Sequence, residues 1–155
     1  MVAAVQASGG VDPRGADLPD PDPHAAGARS VDAVHEPLTG TPARIRRSLR
    51  ATFAQWQLPV EAAENALLVI EELVANVVDH ARTPFRLTVS QEPDDRAGSA
   101  LRIAVRDGSP DSPSLRPFSA RADRGRGLQM IDALTSRWGC DGTPAGKTVW
   151  AVLPT

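Results

Sequence analysis

The chain has 155 residues, 41% of them hydrophobic and 23% charged, with a net charge of −2 at pH 7. That length suits one domain with a real core rather than two, and the charge balance gives no overall drive toward nucleic acid or a membrane surface. The single cysteine, Cys140, excludes an intrachain disulfide and fits a reducing compartment.

No apolar run approaches about 18 residues, so no membrane-spanning helix is expected. The segment Met1–Ser8 lacks the basic region of a signal peptide. The expected location is therefore cytoplasmic. Residues 1–40 hold six acids (Asp12, Asp17, Asp20, Asp22, Asp32, Glu36), two arginines and five prolines. Such a segment buries too little apolar surface to offset chain entropy. This predicts a disordered, acidic, proline-rich tail over 1–30 and a folded domain over 31–155.

Within the domain, Val31–Leu38 reads as a short edge strand, with Pro37 keeping it at the rim. Thr41-Pro42 signals a helix start, threonine as cap and proline at the first helical position. That helix should run to about Trp56 on Ile45, Leu49 and Phe53. Pro59 opens a longer helix to about Ala81, with Leu67, Ile70, Leu73, Val74, Val77 and Val78 on its apolar face. The period then changes to two. Phe85, Leu87 and Val89 form one strand and Leu101, Ile103 and Val105 the next, joined by the turn-rich Glu92–Gly98. Residues 109–124 carry three prolines and no period, the pattern of a long functional loop. Leu128, Ile131 and Leu134 define a third helix, and Thr148–Val152 a last buried strand. The order (β)ααββ–loop–αβ(β) predicts an α+β fold, a two-layer sandwich of helices on a mixed, mostly antiparallel sheet.

Three polar constellations interrupt this frame. Glu72, Asn76 and His80 are four residues apart, so each step drifts only about 40° around a helix and the three share one edge. A carboxylate one turn from a carboxamide can supply a general base and a neutral oxygen ligand for Mg²⁺. Asn76 lies deep in the apolar run, where a polar side chain needs a partner. His80, at the helix end, most simply bonds a carbonyl. Second, Asp107 closes a buried strand just before Gly108-Ser109. A carboxylate there can accept the exocyclic amine of adenine while Gly108 lets backbone approach the ring; ordinary turn chemistry is the plainer reading. Third, Gly125-Arg126-Gly127-Leu128 opens a helix. Such glycines let backbone N–H groups crowd a phosphate. Arg116, Arg121, Arg124 and Arg126 cluster nearby, and an arginine fork suits a γ-phosphate.

Gly146-Lys147-Thr148 imitates the tail of a P-loop. That motif needs a glycine where Asp141 stands and a helix where this chain predicts strand, so it is rejected. Thr148 remains able to touch a base through its hydroxyl. His24, His35 and Cys140 show no metal-ligand spacing.

Taken together, Glu72-x-x-x-Asn76-x-x-x-His80 resembles the N box of the GHKL ATPases (gyrase, Hsp90, histidine kinase, MutL). Asp107-Gly108-Ser109 resembles their first glycine box and Gly125-Arg126-Gly127-Leu128 the second. Gly146-Lys147-Thr148-Val149-Trp150 resembles the closing strand of the small anti-sigma-factor serine/threonine kinase branch. The likeness spans about 38–153 and implies the Bergerat ATP-binding fold, with ATP and Mg²⁺ as cofactors. It implies Glu72 as base, Asn76 as Mg²⁺ ligand and Asp107 as adenine reader, with Gly125 and Gly127 as lid hinges. The implied ATP-binding set is Asn76, His80, Asp107, Gly108, Ser109, Gly125, Arg126, Gly127, Leu128 and Thr148. Ser109 departs from the family, where many members carry glycine. The implied activity is phosphorylation of a serine on an anti-anti-sigma factor, with sequestration of a sigma factor and a possible homodimer. The alternative is a nucleotide-gated binding module without significant kinase activity.

Overall fold

A computed structural model describes residues 29–110 and 127–155. The first helix, α1, spans Thr41–Gln55 and buries Ile45, Leu49 and Phe53, the stripe expected from the four-residue spacing. Its N-cap is Gly40 rather than Thr41. The Thr41 hydroxyl instead donates to the Glu36 carbonyl at 2.8 Å, tying the helix start to the segment before it. The second helix, α2, spans Val60–Asn76 and buries Ala66, Leu67, Val69, Ile70, Leu73 and Val74. That face is too wide for a surface helix; α2 packs on α1, on the sheet and on the third helix. On their solvent side, Arg46 meets Glu71 at 2.5 Å and Arg50 meets Glu64 at 2.9 Å, half-exposed pairs of small energetic weight.

The long second helix does not stay α to Ala81 as predicted. Val77–Ala81 form a single π turn, closed by the Arg82 N–H donating to the Val77 carbonyl at 2.8 Å. Arg82 ends it in the left-handed conformation, φ 53°. Such a turn winds five residues where an α-helix winds four, so the face arithmetic holds from Glu72 to Asn76 and changes between Asn76 and His80.

The strands β1 (Ser30–His35), β2 (Phe85–Asp94), β3 (Gly98–Asp107), β4 (Arg137–Thr143) and β5 (Gly146–Pro154) form a sheet in the order β1-β2-β3-β5-β4. All four pairings are antiparallel, so the expected mixture contains no parallel pair among the described strands. One face carries Phe85, Leu87, Val89, Leu101, Ile103, Val105, Ala151 and Leu153, all buried in one cluster with the helix residues. The side-chain period of two turns the alternate positions, such as Arg86, Arg106 and Thr148, to the uncovered side. β3 and β4 point the same way on either side of β5, and the third helix, α3 (Gly127–Leu134), lies between them in sequence. This is a split βαβ unit.

Three boundaries move. Ser30 and Arg29, placed in the tail by composition, belong to the fold: Gln91 N–H donates to the Arg29 carbonyl at 2.9 Å, and the Arg29 guanidinium donates to the Trp56 carbonyl. Residues 1–28, the rest of the predicted tail, lie outside the described residues. The β2–β3 turn is tighter than Glu92–Gly98. Asp94 pairs with Gly98 across it, and Asp94 Oδ1 accepts the N–H groups of Ala97 at 2.7 Å and Arg96 at 2.9 Å. Those donors hold the Asp94 carboxyl below the usual carboxylate range. Lastly, no strand was expected over the residues of β4. Its exposed Arg-Trp-Gly-Cys-Asp-Gly-Thr sequence lacks an apolar alternation because it is an edge strand, and Gly139 there lets the Trp150 ring lie against the backbone.

Gly98 has φ +78° with nothing near a would-be Cβ. Gly98→Ala is therefore a purely conformational change, expected to cost about 1 kcal/mol and to lower the urea midpoint without changing the m-value.

Candidate functional site

The helical wall comes first. Glu72 and Asn76 sit one turn apart near the end of α2, both half-buried, while His80 in the π turn is exposed. The wall continues through the turn to Thr83, just before β2.

Each glycine corner touches this wall. Gly127, the first residue of α3, is buried against Glu72: a Cβ on Gly127 would overlap the Glu72 carboxylate. Only a glycine lets the start of α3 approach that acid so closely. At the other end, Gly108 N–H donates to Thr83 Oγ1 at 2.9 Å. One continuous segment, 72–83, therefore anchors both corners, with Asn76 between the anchor points.

The Asp107 corner is organised in more detail. Asp107 is the last residue of β3 and is buried. Its Oδ1 accepts the Ser109 N–H at 2.8 Å, a local turn that fixes the carboxylate relative to Gly108. Across the ladder its register partner is Lys147 of β5. Lys147 Nζ lies 3.1 Å from Oδ1 and 3.0 Å from Oδ2 of Asp107. The two side chains are 8% and 2% exposed, so this ion pair is essentially buried. Gly146, at φ +147°, brings β5 against the carbonyl of Asp107, where a Cβ would overlap that oxygen.

Among the residues singled out from sequence, Glu72, Asn76, Asp107, Gly108, Ser109 and Gly127 lie on the wall or its two corners. Thr148 does not join them. It pairs with Arg106 and so stands on the opposite face of the sheet from Asp107; strand parity gives that place to Lys147. Leu128 is the second residue of α3. Gly125, Arg126 and the arginines at 116, 121 and 124 lie outside the described residues, as do residues 111–124 of the predicted loop. Gly146–Thr148 lie within β5, which agrees with rejecting a P-loop.

Two residues were missed. Lys147 was discounted as part of the false P-loop; counting strand parity back from the apolar Val149 and Ala151 would have placed it on the Asp107 face. Thr83 offers no signal, because its contact with Gly108 is purely tertiary.

The arrangement offers a carboxylate beside a glycine at the start of an eight-residue helix, a carboxamide one turn along, and a buried acid facing an ammonium. Among the described residues no three His, Cys, Asp or Glu side chains gather as a cation cage. Mg²⁺ is ordinarily held by one or two protein oxygens together with phosphates and water.

Residues 37–153 match the family described as the histidine kinase-like ATPase domain. No curated protein matches the chain. Among solved structures, the RsbU and RsbW domains of Rv1364c from Mycobacterium tuberculosis are similar at 17% identity and a TM-score of 0.58, over 81% of this chain and 32% of that one. The chain thus spans about a third of that structure's length. The histidine kinase domain of the blue-light activated histidine kinase of Erythrobacter litoralis EL346 is also similar at 17% identity, with a TM-score of 0.45, over 73% of this chain and 58% of that one.

Proposed function

From the premise that this chain belongs to the histidine kinase-like ATPase domain family, we propose that it is an ATP-dependent protein serine/threonine kinase of the anti-sigma-factor type. In this reading it phosphorylates a serine of an anti-anti-sigma partner and regulates transcription by exchanging that partner for a sigma factor, in the cytoplasm. The observation that carries the reading is the contact between Glu72 and Gly127. It sets a candidate base against the start of a helix whose N–H groups suit a phosphate.

The residues present fit Mg·ATP. Gly127 lets the start of α3 lie directly against the Glu72 carboxylate, in the volume that any side chain would need. The Asn76 carboxamide is a neutral oxygen donor of the kind Mg²⁺ accepts alongside phosphates. Asp107, fixed from two sides, presents a carboxylate to an exocyclic amine. Bound Mg·ATP would supply the transferable phosphoryl group and neutralise its charge. Glu72 would accept the proton of the attacking serine hydroxyl, and the Gly108 corner would admit the base. His80 and Ser109 would border the nucleotide from the π turn and the Asp107 turn. Gly125, Arg126 and Leu128 would complete the phosphate side.

The test is incubation of the full chain with γ-labelled ATP and candidate acceptor proteins. A labelled acceptor, lost when its serine becomes alanine, is the expected outcome. ATP binding with no labelled acceptor would instead favour the nucleotide-gated binding module.

Gly127→Ala must displace the Glu72 carboxylate. It is expected to slow single-turnover transfer about tenfold by misplacing the base. Combined with Glu72→Gln, it should add almost nothing, because both changes act on one group.

A further inference from the structure

We infer that Lys147 and Asp107 read the purine as a pair, with Asp107 accepting the exocyclic amine and Lys147 donating to the neighbouring ring nitrogen N1. The inference rests on the nucleotide site proposed above and assigns a specificity role to a residue outside the resemblance-derived set.

The Lys147 ammonium straddles both carboxylate oxygens, at 3.1 and 3.0 Å. Any group that reaches the tip of Asp107 therefore arrives beside Nζ. An ammonium carries three donors and no acceptor; the carboxylate engages at most two of them, which leaves one to offer. Oδ1 accepts Ser109 N–H as well as facing Lys147, whereas among the described residues Oδ2 faces Lys147 alone, so Oδ2 keeps a lone pair for an amine. The site thus shows an acceptor and a donor side by side, and the amine edge of adenine shows the complementary donor and acceptor. Both partners are buried, where such bonds discriminate most strongly against a ligand lacking one of them. Gly146 keeps β5 tight against the Asp107 backbone, so the pair is held by the sheet rather than by a loop.

The test compares ATP with 1-deaza-ATP, which keeps the amine and loses the N1 acceptor, by titration calorimetry on the full chain. The unmodified protein should bind 1-deaza-ATP about tenfold or more weakly than ATP, the weight of a hydrogen bond from a charged donor. In Lys147→Met that penalty should vanish, while Lys147→Arg should keep part of it. A structural role alone would weaken both nucleotides equally and leave the ratio untouched. Should Lys147→Met fail to fold, ¹⁵N NMR of N1-labelled ATP on the unmodified chain decides, with an upfield shift of N1 on binding expected. Equal affinity for the two nucleotides, an unshifted N1 resonance, a penalty that survives Lys147→Met, or tighter ATP binding by that variant would each overturn the inference alone. Failure of the unmodified chain to bind ATP at all would overturn the site reading, and the inference with it.

Discussion

Glu72→Gln is expected to leave Mg·ATP binding intact and to reduce phosphoryl transfer about 100-fold or more, the usual weight of a general base. Glutamine preserves the shape and helix propensity of the glutamate, so α2 and its contact with Gly127 persist. What is lost is the capacity to accept a proton in the transition state. The measurement is rapid-quench single turnover beside calorimetric binding of ATP. Equal transfer rates in variant and parent would remove Glu72 from the chemistry and leave it as a packing residue at the start of α3. Glu72 is half-buried with its carboxylate against the first residue of α3, and that placement is the reason to expect function.

Lys147→Met is expected to destabilise the fold by about 3–5 kcal/mol, because it strands the Asp107 carboxylate in a buried site without its counter-charge. Pairing that change with Asp107→Asn should recover most of the loss, since removing both charges also removes the cost of desolvating them. Urea unfolding of parent, single variant and double variant measures this directly. A single variant as stable as the parent would mean that water reaches Asp107 freely, contrary to its 2% side-chain exposure. The two predictions separate the roles of the site's acids. The Glu72 change acts on rate with the fold preserved, whereas the Lys147 change acts on the fold and on base recognition together.

Much of the architecture was legible from local pattern. The four-residue spacing of Ile45, Leu49 and Phe53 marked α1, and the alternation of Leu101, Ile103 and Val105 marked β3. Each pattern is written by a single face turned to the core. Elements whose stability comes from elsewhere were harder to read. β4 is an exposed edge strand with two glycines, so no buried face imprints its sequence. The π turn at Val77–Ala81 continues the same apolar residues as the α-helix before it, so hydrophobic periodicity does not distinguish the two. Thr41 looked like a cap because threonine before proline usually is one; its hydroxyl was drawn instead to the Glu36 carbonyl five residues back.

The site divides the same way. Glu72, Asn76, Asp107 and Gly127 could be singled out because each breaks a local rule: a polar residue in an apolar helix, an acid ending a buried strand, a glycine opening a helix. Thr148 was chosen for its hydroxyl, but the sheet decides by parity, and a shift of one residue sends a side chain to the other face.

By itself, then, the sequence determined the elements that turn one face to the core, which residues are out of place in them, and the family they resemble. Tertiary structure alone decided that Lys147 faces Asp107, that Thr83 holds Gly108, and that Glu72 abuts Gly127. The physical reason is range. Propensity and periodicity act over a few neighbouring residues and leave a trace in the local sequence. The ladder register across β3 and β5, and the docking of α3 on α2, join positions 40 and 55 residues apart, and only the packed chain specifies them.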